Sequence, residues 1–133
     1  MQFRYSYGEW QTAAIVLDSL ANGNSIASTG IDFKDAAGLE WELNVNGTAG
    51  ATAYFDVVLL RGSADSFANF STFENGMPLN SVFFSATPTI AIRYNESFFD
   101  NGKLAVKNNT GQALGGAGNT LRYRLIYPIS LSV

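Results

Sequence analysis

A chain of 133 residues fits one domain, and with neither cysteine nor histidine it lacks the groups for disulfides, thiolate or zinc–thiolate chemistry and imidazole general-base catalysis. Eleven acidic against eight basic residues give a net charge of -3 and a pI near 4.7, which disfavours general nucleic-acid binding. Charged residues are 14% of the chain, against about 25% in an ordinary soluble domain. Such a composition reads as a surface partly covered by protein contacts, or as a large core.

Residues 1–10 (MQFRYSYGEW) place Phe3, Tyr5 and Tyr7 in alternation. They read either as a contact arm that adds to a neighbour's sheet or as an edge strand of the chain's own sandwich. Gln11 to Leu20 carries a possible helical stripe, but its β-branched setting favours a strand. The run Ala13 to Leu17 is too short to span a bilayer, and nothing before it resembles a secretory leader. No membrane partner is expected.

Leu39, Trp41, Leu43 and Val45 alternate with Glu40, Glu42 and Asn44, as in a strand with one wet face. Residues 52–61 are apolar on both sides apart from Asp56 and read as a central strand. Residues 62–80 read as a long loop. Its Phe67, Phe70 and Phe73 fit either one or two helical turns or a lid over the core. Strands follow at 81–85, 89–94, 103–107 and 121–127. Asn-Gly pairs at Asn22, Asn46, Asn75 and Asn101 suggest hairpin turns. The sum is an all-β chain: a single antiparallel β-sandwich spanning 1–133, jelly-roll-like, with roughly eight strands and little or no helix.

Few residues point to chemistry. Glu40 and Glu42 share a strand face about 7 Å apart, near the separation of a glycosidase pair. A solvated face explains them better. Arg122 and Arg124, the close basic pair, serve either an acidic partner or Glu40 and Glu42 across a sheet, and the second is preferred. Asp32, Asp35, Asp65 and Asp100 do not complete a calcium loop. Trp41 is in phase with the core, whereas Trp10 is a candidate exposed aromatic for stacking a sugar. Four Asn-x-Ser/Thr matches read as incidental. No catalytic residue, cofactor or metal is expected. The candidate partner contacts are Phe3, Tyr5, Tyr7 and Trp10, with Phe67, Phe70 and Phe73 as a second set.

Three stretches carry a resemblance. They are Leu20 to Thr29 followed by Ile31 and Asp32, Leu104 to Leu114, and Gly118-Asn119 running into Leu121 to Tyr127. In this order they resemble small β-sandwich virion proteins of tailed bacteriophages; residues 62–100 depart from that pattern. The resemblance implies a non-enzymatic role as a capsid decoration (cement) protein at the virion surface. Its partners would be the major capsid protein and further copies of itself, as trimers or dimers. A tail or baseplate component, or a carbohydrate-binding module, is the alternative; a glycosidase ranks below both.

Overall fold

The computed structural model describes residues 2–46, 54–63, 66–70, 75–83, 89–94 and 101–131. Among these, eleven strands and no α-helix occur: β1 (Gln2–Tyr7), β2 (Gln11–Thr12), β3 (Ser25–Ala27), β4 (Ile31–Asp32), β5 (Gly38–Asn44), β6 (Tyr54–Ser63), β7 (Ser66–Phe70), β8 (Met77–Phe83), β9 (Thr89–Tyr94), β10 (Asn101–Asn109) and β11 (Thr120–Leu131). One sheet runs β1-β11-β5-β9, with β2 also on β11. The other runs β3-β10-β6, with β7 and β8 on the far side of β6 and β4 on β10.

The pairing is nested. β1 pairs β11, β3 pairs β10, β5 pairs β9 and β6 pairs β8, all antiparallel. A long hairpin folded over on itself gives this order, so the molecule is a β-sandwich of jelly-roll topology. Eight strands carry it, and β2, β4 and β7 are short additions.

Alternation builds the core. Leu39, Trp41 and Leu43 from β5 meet Phe55, Val57 and Leu59 from β6, Leu104 and Val106 from β10, and Leu121 from β11. Val58, Leu60 and Ala105 form a smaller buried cluster on the opposite face of the second sheet. β6 is therefore apolar on both sides because both sides are covered.

The structure corrects several expectations. Residues 62–80 are not one long loop, since β6 continues to Ser63, β7 pairs its end and β8 begins at Met77. Phe67 and Phe70 lie in β7, so the helical-turn reading fails for them, and Phe73 lies outside the described residues. Gln11 to Leu20 forms a strand only at Gln11–Thr12. Beyond it the chain crosses the end of the sandwich irregularly, dropping Ala13 and Leu17 into the core and reaching Ser19 at a φ of 62°. Asn101-Gly102 starts β10 and is buried instead of turning.

Candidate functional site

Among the described residues, the outer face of the β1-β11-β5-β9 sheet holds a cluster of charged and aromatic side chains. Leu39, Trp41 and Leu43 point inward, so Glu40 and Glu42 point outward. Register sets Arg124 opposite Glu40 and Arg122 opposite Glu42. Each arginine donates from Nε and Nη2 to one carboxylate oxygen. Arg122 reaches Glu42 Oε1 at 2.8 and 2.7 Å, and Arg124 reaches Glu40 Oε2 at 3.0 and 2.8 Å. The expected pairing across the sheet is thus present. The expected wet face is not: Glu40 is buried beneath its arginine.

A third tier lies on top. Tyr5 and Tyr7 alternate along β1 and face outward, since Tyr7 sits opposite Ile126, which shares a face with Arg124. Strict alternation would turn Trp10 to the inner face. The register prevents this. Tyr7 lies opposite Ile126 and Gln11 opposite Tyr123, so Gly8, Glu9 and Trp10 face only Leu125 and Arg124. One extra residue in the edge strand makes a β-bulge, which reverses the parity and turns Trp10 outward and Ala13 inward. Gly8 permits the close approach, because a Cβ there would lie 3.3 Å from the Leu125 carbonyl oxygen, to which its own N–H donates at 2.8 Å.

The rings then seat on the guanidinium groups. Arg124 Cζ lies 4.4 Å from the Tyr7 centroid and 4.9 Å from that of Trp10, and Arg122 Cζ lies 5.0 Å from Trp10. Each such contact contributes about 0.5–1 kcal/mol at a partly exposed site. The stack grades outward. The Glu40 and Glu42 side chains are 9% and 13% exposed, those of Arg124 and Arg122 28% and 42%, and Tyr5 and Tyr7 are each 48% exposed. Two cations and two anions offset one another, leaving a charge-neutral aromatic platform.

Of the expected contact residues, Tyr5, Tyr7 and Trp10 come together here. Phe3 lies on the same strand, paired with Ser130. β1 is joined along its whole length to β11, so residues 2–7 serve as an edge strand of their own sandwich. Phe67 and Phe70 belong to the other sheet. Reading the sequence missed that Arg122, Arg124 and Trp10 form one site. Gly8 within an aromatic run was the available signal of a bulge. Glu40 and Glu42 are both engaged by arginine, and among the described residues no group of three or more acidic side chains is placed to hold a metal ion. Asp32 Oδ1 instead accepts the N–H of Lys34.

Part of the stretches that carry the phage resemblance meets at one end of the sandwich, whereas Ile31 and Asp32 pair with Gly102 and Asn101 at the other end of β10. Asn108 is fully buried: its amide donates to the carbonyls of Leu20 and Gln112 at 2.9 and 2.8 Å, and its Oδ1 accepts the N–H of Thr110 at 2.9 Å. Asn119 donates to Asp18 Oδ1 and the Gly115 carbonyl, and its Oδ1 accepts the N–H of Asn46 at 2.7 Å. Asn22 Oδ1 accepts the N–H of Gly111. These side chains staple separate loops to one another, and their role in the described structure is structural.

No family model and no curated protein matches the chain. Among solved structures it is similar to the C-terminal CBM6 of LamC, a marine laminarinase from Zobellia galactanivorans. That likeness has 12% identity and a TM-score of 0.46, covering 92% of this chain and 98% of the other.

Proposed function

We propose that the chain is a non-enzymatic structural protein of a tailed-phage virion, a decoration protein that binds the outer capsid shell and braces it through protein–protein contacts. The observation that carries this reading is the stapled end of the sandwich. The stretches that resemble phage virion proteins are far apart in sequence, yet Asn22, Asn108, Gly111 and Asn119 bind one another's loops there. Asn108 and Asn119 are buried, whereas Asn22 and Gly111 bond at the surface, and loops tied to one another in this way are a stronger mark of shared architecture than scattered turn residues. The low charge content supports the same reading, and the jelly roll is an architecture that shell proteins use. Many weak contacts on a repeating lattice then add by avidity.

Quantitative mass spectrometry of purified particles tests this. A copy number equal to that of the major capsid protein, or a simple fraction such as one third, is expected. A handful of copies moves the protein to the tail or baseplate, and absence from particles overturns the virion reading.

A further inference from the structure

We propose that the aromatic platform of Tyr5, Tyr7 and Trp10 is a binding site for an uncharged saccharide. This goes beyond shell decoration and does not depend on it.

Three features select that ligand. The first is shape. Tyr7 and Trp10 lie on guanidinium groups, so one side of each ring is covered, and Trp10 is half-buried while Tyr7 is 48% exposed. Tyr5 continues the row about 7 Å along β1, making the platform longer than one pyranose ring. The C–H face of a sugar stacks on such a surface. The second is charge. Arg122 and Arg124 are each neutralised by a carboxylate of the neighbouring strand. An anionic ligand would have to compete with Glu40 and Glu42, and a cationic one would meet two arginines. A neutral ligand meets neither cost. The third is hydrogen bonding. Nε and Nη2 of both arginines serve the carboxylates, whereas the Nη1 hydrogens take no part in those bonds. Beside the rings they are donors for hydroxyl and ring oxygens.

The site is also held still. Each arginine is fixed from below by two hydrogen bonds and from above by a ring, so binding orders little that is not already ordered. Ile126, on the same face and opposite Tyr7, is fully buried and supports the platform.

The full-length protein is screened on a neutral glycan array and then titrated with cellohexaose, maltohexaose and N-acetylchitohexaose, with oligogalacturonate as the anionic comparator. Trp41 is buried in the core, so a ligand-dependent change in tryptophan emission reports on Trp10. Saturable binding to at least one neutral glycan is expected. Trp10→Ala and Tyr7→Ala should each weaken it about tenfold or more, and Tyr54→Ala, on the other sheet, should not. Tyr5→Ala, at an exposed position, gives a readout should either of the first two variants fail to fold. No binding across the array, preference for oligogalacturonate, or binding that survives all three platform variants overturns the proposal. Trp10→Ala particles separate the two readings. Loss of the protein from the shell with no glycan bound by the wild type makes this face a shell contact and ends the saccharide proposal. Glycan binding by a protein absent from particles leaves the site intact and ends the decoration reading alone.

Discussion

Arg124 places both Nε and Nη2 on a single oxygen of Glu40, at 3.0 and 2.8 Å, and the Glu40 side chain is only 9% exposed. Removing one member of a largely buried pair leaves the other charge without its counterpart, which costs more than the pair itself contributes. Arg124→Ala should therefore destabilise the fold by about 2 kcal/mol, below the fully buried range because the arginine is part-exposed. Arg122→Ala should cost about 1 kcal/mol or less, since Arg122 is more exposed. Replacing both partners, Arg124→Met with Glu40→Leu, should be nearly neutral. Urea unfolding at constant m-value checks the order; equal losses for the two single arginine variants would refute the burial argument.

Asn108 supplies two donors and one acceptor in a fully buried position. Asn108→Ala strands the Thr110 N–H and takes one donor from each of the Leu20 and Gln112 carbonyls, which keep the Leu114 N–H and the Thr110 hydroxyl, at a cost of about 2 kcal/mol. Asn108→Asp is nearly isosteric but turns a carboxylate oxygen toward two carbonyl oxygens, so it should be worse than alanine. Ranking the two by urea midpoint is the check. An aspartate variant as stable as the wild type would mean that the amide is not oriented as described.

Gly118 has a φ of +84°, where an added Cβ would meet nothing closer than 3.6 Å. The penalty for Gly118→Ala is thus one of backbone conformation, about 1 kcal/mol. Gly118→Asn should recover part of it, because asparagine tolerates the left-handed region. Gly116, with no left-handed φ and its nearest neighbour at 3.8 Å, should accept alanine with no loss. Thermal melting of the three variants separates conformation from crowding.

Much of this architecture is legible in period-two patterning. The β5 alternation of Leu39, Trp41 and Leu43 predicts its inward face, and the apolar stretch around Val57 and Val58 predicts a strand covered on both sides. What patterning misses is parity and cover. The pairing of Glu40 and Glu42 with Arg124 and Arg122 is legible, yet the strand still reads as wet, because the sequence does not show that aromatic rings will roof the arginines. Trp10 falls on the wrong face by counting, because one bulge residue resets the alternation. Gln11 to Leu20 has strand-like composition, yet its backbone bonds go to Leu121 and Gly115 at the end of the sandwich. Such long-range bonds leave no local signature. Asn108 and Asn119 show the same limit: both read as loop residues, and both are buried because groups distant in sequence reach them, the Leu20 carbonyl for Asn108 and the Asp18 carboxylate with the Asn46 N–H for Asn119.

Tyr123 faces the core side of β11, and its ionisation is pushed above the ordinary value of 10.0, first by burial and then by repulsion from Tyr127 four residues on. Folding therefore holds this phenol in its neutral form. In the unfolded chain it ionises at the ordinary value, so the contribution to stability is complete below about pH 10 and is lost as pH rises above that toward the folded-state value. The wild type should lose stability between about pH 10 and 11 faster than Tyr123→Phe does. At neutral pH the phenylalanine variant should be only slightly weaker, because the Tyr123 hydroxyl bond to Gln11 Oε1 is long, at 3.3 Å, and exposed. Urea midpoints of both proteins across this range decide it. A gap between them that stays constant to about pH 11 would show that Tyr123 ionises equally well in the folded state, and that the inner edge of β11 is more open to water than its packing implies.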